Sequence, residues 1–133
     1  MPTIRVTAAI IKSYTPDNQP IIFATQRGYG DFAGGWEFPG GKIEDGETHE
    51  EALKREIQEE MELEIDIIGH FDDVKYVYPD FILKMYCYKC RTNDLEFKLN
   101  VHKDFKWLRR EELKSIDWAP ADCPIVKRLM EEK

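Results

Sequence analysis

The order of apolar and polar residues divides this 133-residue chain into several strand-like segments and two helical ones. Thr3 to Tyr14 is rich in β-branched residues, and Pro20 to Thr25 carries Ile21-Ile22-Phe23. Both read as strands, joined by a turn at Pro16-Asp17-Asn18. Gly28 to Gly35 holds four glycines and reads as a loop, and Trp36-Glu37-Phe38 is a short strand before Pro39-Gly40-Gly41. Ile65 to Tyr78 and Phe81 to Arg91 are strands split by Pro79-Asp80, and Asp104 to Leu108 is another. Arg110 to Leu113 suits a helical turn. Thr48 to Met61 and Ala121 to Glu131 are the helices, the second with Pro124 near its start, where proline is tolerated. Strands dominate and helices flank them, which predicts a mixed α/β class built on a curved, mixed sheet. No repeat, low-complexity stretch or linker interrupts residues 1–133, so one domain is expected.

The Thr48 helix has a legible start. Thr48 can cap it, and Glu51 three residues later completes a capping box. Leu53, Ile57 and Met61 recur every four residues and should face the core. Glu56, Glu59 and Glu60 crowd the neighbouring stripe, with Arg55 as the nearby cation. Like charges three or four apart cost a helix a few tenths of a kcal/mol per pair, about 0.2–0.5. A cluster of hard oxygen ligands suits Mg²⁺, with Mn²⁺ as a substitute; the alternative is a solvated acidic face. The preceding Phe38-Pro39-Gly40-Gly41 lets backbone approach a ligand closely, so the loop and helix together can surround one ion.

Charge and composition narrow the partners. The net charge is −7 and the pI about 5.0, so no basic face for duplex nucleic acid is expected. No apolar run reaches a membrane span, and Met1 to Val6 lacks the apolar stretch of a signal peptide, so a soluble, cytoplasmic protein is expected. Cys87, Cys90 and Cys123 are odd in number, against a disulfide framework. Cys87 and Cys90 have C-x-x-C spacing, but in a strand residues three apart point to opposite faces; buried thiols are expected rather than a metal pair.

Gly41, Glu47, Arg55-Glu56-Ile57-Gln58-Glu59-Glu60-Met61 and Leu63 resemble the Nudix box, Gly-x5-Glu-x7-Arg-Glu-U-x-Glu-Glu-x-Gly-U with U bulky and aliphatic. Trp36 to Lys42, Tyr78-Pro79-Asp80 and Trp118 to Pro124 extend the resemblance to the MutT and CTP pyrophosphohydrolase branch over nearly the whole chain. The resemblance implies an α/β/α sandwich and Mg²⁺-dependent cleavage of a nucleoside triphosphate to the monophosphate and pyrophosphate. It implies metal ligation by Glu56, Glu59, Glu60 and the Gly40 carbonyl. Arg55 would orient a glutamate, and Glu47 would support the loop or the outer metal shell. Arg27, at the end of the second strand, is a candidate phosphate clamp with its bidentate fork. Phe38, Tyr78 and Asp122 would surround the base. Asp122 suits the amine of cytosine or the edge of an oxidised guanine such as 8-oxo-dGTP; it is also a good N-cap for the last helix. A monomer or weak dimer is expected.

Two positions depart from the pattern. Glu62 stands where the box has glycine, which predicts altered helix termination with the ligands intact. Val101 stands six residues before Trp107, where this branch often carries a glutamate that serves as metal ligand or base. His102 and Asp104 lie near; His102, whose ordinary pKa is near neutrality, and Glu44 are both candidates for the base, which the sequence leaves unassigned. Other readings are a different Nudix substrate class, such as ADP-ribose or a dinucleoside polyphosphate, or a non-catalytic nucleotide-binding module. The intact box glutamates argue against the latter.

Overall fold

The computed structural model describes residues 1–28, 34–92 and 96–132. Along the chain run β1 (Thr3–Tyr14), β2 (Pro20–Arg27), β3 (Trp36–Glu37), β4 (Gly40–Lys42), α1 (His49–Met61), β5 (Asp66–Val77), β6 (Ile82–Arg91), β7 (His102–Arg109), two 3₁₀ segments (Arg110–Ser115 and Pro120–Asp122) and α2 (Cys123–Glu131). Among the described residues the seven strands form one mixed sheet. β1 is its spine. One edge pairs parallel with β6 from Thr3 to Lys12; the other pairs antiparallel with β4 near Thr7 and with β2 near Ser13. β5 extends the sheet beyond β6, and β7 and β3 both pair with β2.

Alternation along β1 builds two cores. Ala8 and Ile10 turn to one face, where they join Ile22, Ala24, Leu108 and the α2 residues Ile125, Val126 and Leu129. Ala9 and Ile11 turn to the other, against Phe23 and the α1 residues Leu53, Ile57 and Met61. The sheet is buried on both faces, which explains the unbroken apolar run Ala8 to Ile11 and gives the expected α/β/α sandwich. Cys87 lies in the α2-side core and Cys90 in the α1-side core, on opposite faces as the strand period requires. Both are free, buried thiols, pushed well above their ordinary pKa by burial.

Three boundaries differ from the sequence reading. Gly40–Lys42 is a strand rather than loop, because β1 extends beyond β2 and offers it an unpaired edge. His102, expected before the last strand, opens it opposite Arg27 across a bulge between Gln26 and Arg27. The last helix begins at Cys123, after a 3₁₀ turn over Pro120–Asp122. Of the glycine-rich loop at Gly28 to Gly35, residues 29–33 lie outside the described residues. Among the described residues no helix is long and apolar enough to cross a membrane.

The capping box is present: Thr48 accepts from the Glu51 amide at 3.1 Å, and Glu51 accepts from the Thr48 amide at 2.9 Å. Leu53, Ile57 and Met61 are fully buried. Ile57→Ala should therefore cost about 2–5 kcal/mol of unfolding free energy and Thr48→Ala about 1 kcal/mol. Urea titration at fixed pH measures both, and equal small effects would contradict this ranking.

Candidate active site

The acidic stripe and the glycine turn are joined by one cation. Arg55 donates from Nε and Nη2 to both oxygens of Glu47, at 2.7 and 2.9 Å. Its Nη2 also reaches the Lys42 carbonyl at 3.0 Å, and its Nη1 reaches Glu56 at 3.0 Å and Glu59 at 3.3 Å. Glu47 in turn accepts from the Glu44 amide at 2.9 Å. The Arg55 guanidinium holds the Glu47 carboxyl down to about 2, and its carboxylate partners, Glu47 first, raise Arg55 further. Arg55 thus orients Glu56 and ties residues 42–47 to the helix.

Gly40 and Gly41 make room for this arrangement. A Cβ at Gly41 would stand 2.3 Å from the Glu56 carboxyl, and one at Gly40 would stand 1.9 Å from the Thr7 carbonyl oxygen. Only glycine lets β4 lie on β1 while the Glu56 carboxylate lies over it. Beside Glu56 stands Glu60, with one oxygen buried and without a hydrogen-bond partner. Burial, then the neighbouring Glu56, pushes the Glu60 pKa well above the carboxylate range. His102 turns its Nε2 towards this group, 3.5 Å from Glu60 Oε2 and 4.0 Å from Glu37 Oε2. Its side chain is only 5% exposed, and burial followed by the Arg27 charge lowers its pKa to about 4, so it is a neutral imidazole at pH 7.

The fit of a divalent ion can be judged from these contacts. Among the described residues no three acidic, histidine or cysteine side chains converge on one point. Glu56 and Glu59 each give an oxygen to Arg55, and Glu59 remains 59% exposed. Yet a carboxyl with an orphaned oxygen, its pKa raised by burial and then by a neighbouring carboxylate beside a glycine turn, is where a cation replaces a proton most favourably. These donors suit a hard divalent ion: Glu56, Glu60 and Gly40 line one cleft, and Glu59 stands exposed beside it.

A cleft of about 670 Å³ is lined by Glu44, Glu56, Glu60, His102, Arg27 and Glu37. Arg27, Glu37, Gly40 and Gly41 are shared with a narrower pocket of about 140 Å³, lined also by Phe38, Tyr78, Met85 and Asp122. The acidic end and the aromatic end therefore adjoin, with Arg27 in the walls of both. Glu37, which the sequence reading did not single out, fixes that residue: Arg27 Nε donates to its Oε1 at 2.8 Å, and burial raises its pKa. The signal for it lay in the strand pattern, a carboxylate between Trp36 and Phe38, both buried on the opposite face.

Phe38 packs on Trp118 at 4.7 Å and Tyr78 stacks on Phe81 at 4.8 Å, so both rings belong to the packing as well as to the pocket wall. Asp122 does not cap α2. Its backbone is already helical (φ −84°, ψ −20°), and its side chain makes no capping hydrogen bond. Instead, Oδ1 accepts from the Phe38 amide at 3.1 Å. The residue is 5% exposed, and burial pushes its pKa up to about 8. Asp104 and Val101 are exposed; Val101 lies at the cleft mouth.

The comparisons place this geometry in a family. A NUDIX domain model matches residues 3–129, and the chain belongs to that family. A curated Haemophilus influenzae relative, "8-oxo-dGTP diphosphatase", is 32% identical, covering 97% of this chain and 93% of its own. An Escherichia coli relative, "CTP pyrophosphohydrolase", is 29% identical over 98% and 93%. Among solved structures, MutT (family Nudix hydrolase) from methicillin-resistant Staphylococcus aureus 252 superposes with a TM-score of 0.74 at 35% identity over all of both chains. The Methanosarcina mazei MutT protein superposes at 0.82 with 19% identity, a likeness of fold.

The buried carboxyl of Asp122 gives a pH signature. A carboxyl with a raised folded pKa adds stability that is complete below the unfolded value near 4 and is lost as pH rises through about 8. In metal-free protein Asp122→Asn should therefore gain thermal stability relative to wild type between pH 5 and 9. A difference in melting temperature that does not change with pH would show that Asp122 is ionised throughout.

Proposed function

We propose that this protein is a divalent-metal-dependent nucleoside triphosphate pyrophosphohydrolase that releases a nucleoside monophosphate and pyrophosphate. Mg²⁺ is the expected metal and Mn²⁺ its substitute. The observation that carries this reading is the shared cleft: crowded carboxylates at one end, an aromatic pocket with a buried carboxyl at the other, and Arg27 between them. A triphosphate nucleotide spans those three chemistries. The names of the relatives, 8-oxo-dGTP diphosphatase and CTP pyrophosphohydrolase, support the reaction class.

A divalent ion held by Glu56, Glu60, the Gly40 carbonyl and Glu59 would neutralise phosphate charge and activate water. The chain's own residues do the rest. Arg55 keeps Glu56 in place and the 42–47 loop closed. Arg27, preset by Glu37, presents donors to phosphate oxygens. His102, neutral beside Glu60 and lowered by burial to about 4, is a weaker base than its ordinary pKa implies and serves only as a transient acceptor of the attacking water's proton. Water adds to phosphorus, the bridging P–O bond breaks, and pyrophosphate leaves with that oxygen.

Asp122 is the base reader in this proposal. With Oδ1 held by Phe38, a protonated carboxyl presents one O–H donor, and its oxygens still accept. That pairing suits a base edge with both an acceptor and a donor, as cytosine or an oxidised guanine has. Tyr78 and Phe38 supply apolar walls for the base.

The test is a Mg²⁺ assay with CTP, dCTP, 5-methyl-dCTP, 8-oxo-dGTP and ADP-ribose, reading monophosphate and pyrophosphate release. Turnover of a triphosphate with base preference is expected; turnover of none overturns the reading. Glu60→Gln should lower kcat by at least ~10²-fold. Asp122→Asn should change base preference more than overall rate, and equal losses on every base would remove Asp122 from the reading role.

A further inference from the structure

Glu62, one of the two departures from the family pattern, lies against the segment that leads into the other, Val101. Glu62 ends α1 in the left-handed conformation, φ 52° and ψ 43°, with its amide bonded to the Gln58 carbonyl. The helix therefore terminates as a glycine would end it, against the expectation of an altered terminus. What differs is the side chain. Its carboxylate lies 3.3 Å from Asn100 Nδ2 and 3.7 Å from Lys98 Nζ.

Asn100 also holds the helix end directly. Its backbone amide donates to the Glu60 carbonyl at 2.9 Å, and its Nδ2 donates to the Glu59 carbonyl at 3.0 Å. The Lys98 amide donates to the Met61 carbonyl at 2.9 Å. The last carbonyls of a helix have no partner within it, and here one short segment takes three of them. Two residues beyond Asn100 stands His102, whose imidazole faces Glu60. The segment thus grips Glu60 by its backbone at one end and presents His102 to the same glutamate at the other.

We propose that Asn100 is a positioning residue for the hydrolysis proposed above, setting Glu60 against His102, and that Glu62 orients its amide. An amide is required there. Both Nδ2 hydrogens are used, one on the Glu59 carbonyl and one on the Glu62 carboxylate. A carboxylate at 100 would set acceptor against two acceptors. Glycine at 62 would take the left-handed turn without strain but would leave the amide with one anchor. The inference rests on the hydrolase reading for its kinetic arm and on geometry alone for its exchange arm.

The experiment compares kcat, KM, melting temperature and amide hydrogen exchange for the wild type and variants. Asn100→Ala and Asn100→Asp should lower kcat by about tenfold or more with KM within about twofold, the pattern of a lost alignment. Glu62→Gln keeps an acceptor oxygen and should retain kcat. Glu62→Gly should raise the melting temperature and yet lower kcat by about threefold, on the scale of one exposed hydrogen bond. Activity that follows melting temperature through the series, or a Glu62→Gly enzyme as fast as wild type, overturns the proposal. If the wild type hydrolyses no nucleotide, the hydrolase reading has failed, and exchange still judges the clamp. Slow exchange at the Lys98 and Asn100 amides, lost in Asn100→Ala, supports it; unprotected amides in the wild type refute it.

Discussion

Everything at the acidic end of this protein depends on one guanidinium. Arg55 faces Glu47, Glu56 and Glu59 and the carbonyl of Lys42 at once. Without it, Glu47 before α1 and Glu56 and Glu59 in its second half would crowd a glycine turn without the cation that joins them. A planar fork with five donors can satisfy several oxygens at fixed angles; a lysine ammonium cannot hold that geometry. The pair with Glu47 closes residues 42–47 over the helix, and the bond to Glu56 aims that carboxylate towards Gly41. The loop and the helix are thereby one unit, and the close approach at Gly40 and Gly41 seats this unit on β1.

Farther inside, burial outweighs what pairing there is. Glu60, Glu37 and Asp122 all have pKa values raised first by burial, and His102 has one lowered by it. Each shift marks a group whose charged form the fold disfavours. For the carboxyls, stability falls as pH rises through their folded values; for His102 it falls as pH drops below 6.5 towards 4. A chain selected for stability alone would place apolar residues there. The two cores on the faces of β1, with Leu53, Ile57 and Ile125 fully buried, offset that cost. The sheet is thus the part that tolerates a cleft whose charged groups burial disfavours.

The fold was legible because its signals are local and periodic. The Thr48 capping box, the four-residue spacing of Leu53, Ile57 and Met61, and the strand alternation that sends Cys87 and Cys90 to opposite cores all follow from the chain itself. β4 was not legible, because three residues of Gly-Gly-Lys become a strand only where β1 leaves an unpaired edge. The site was half legible. The glutamates and Asp122 stand out in the sequence, but the neutral state of Asp122 depends on burial that no pattern shows. Glu37 is a charged residue in a two-residue strand, and its partnership with Arg27 arises across the β2–β3 pairing. Asn100 is invisible in one dimension: its partners lie about forty positions away, at Glu59, Glu60 and Glu62.

Position 101 shows how the cleft manages with a different residue. Val101 is exposed, while His102 is buried where β7 opens against Arg27. The group that reaches Glu60 is therefore an imidazole, with its pKa lowered by burial to about 4 and so neutral at pH 7. The imidazole has no charge to hold it in place, and its Nδ1 is buried without a partner. Its orientation must come from the backbone that carries it, and that backbone is anchored at Asn100 to the end of the glutamate helix.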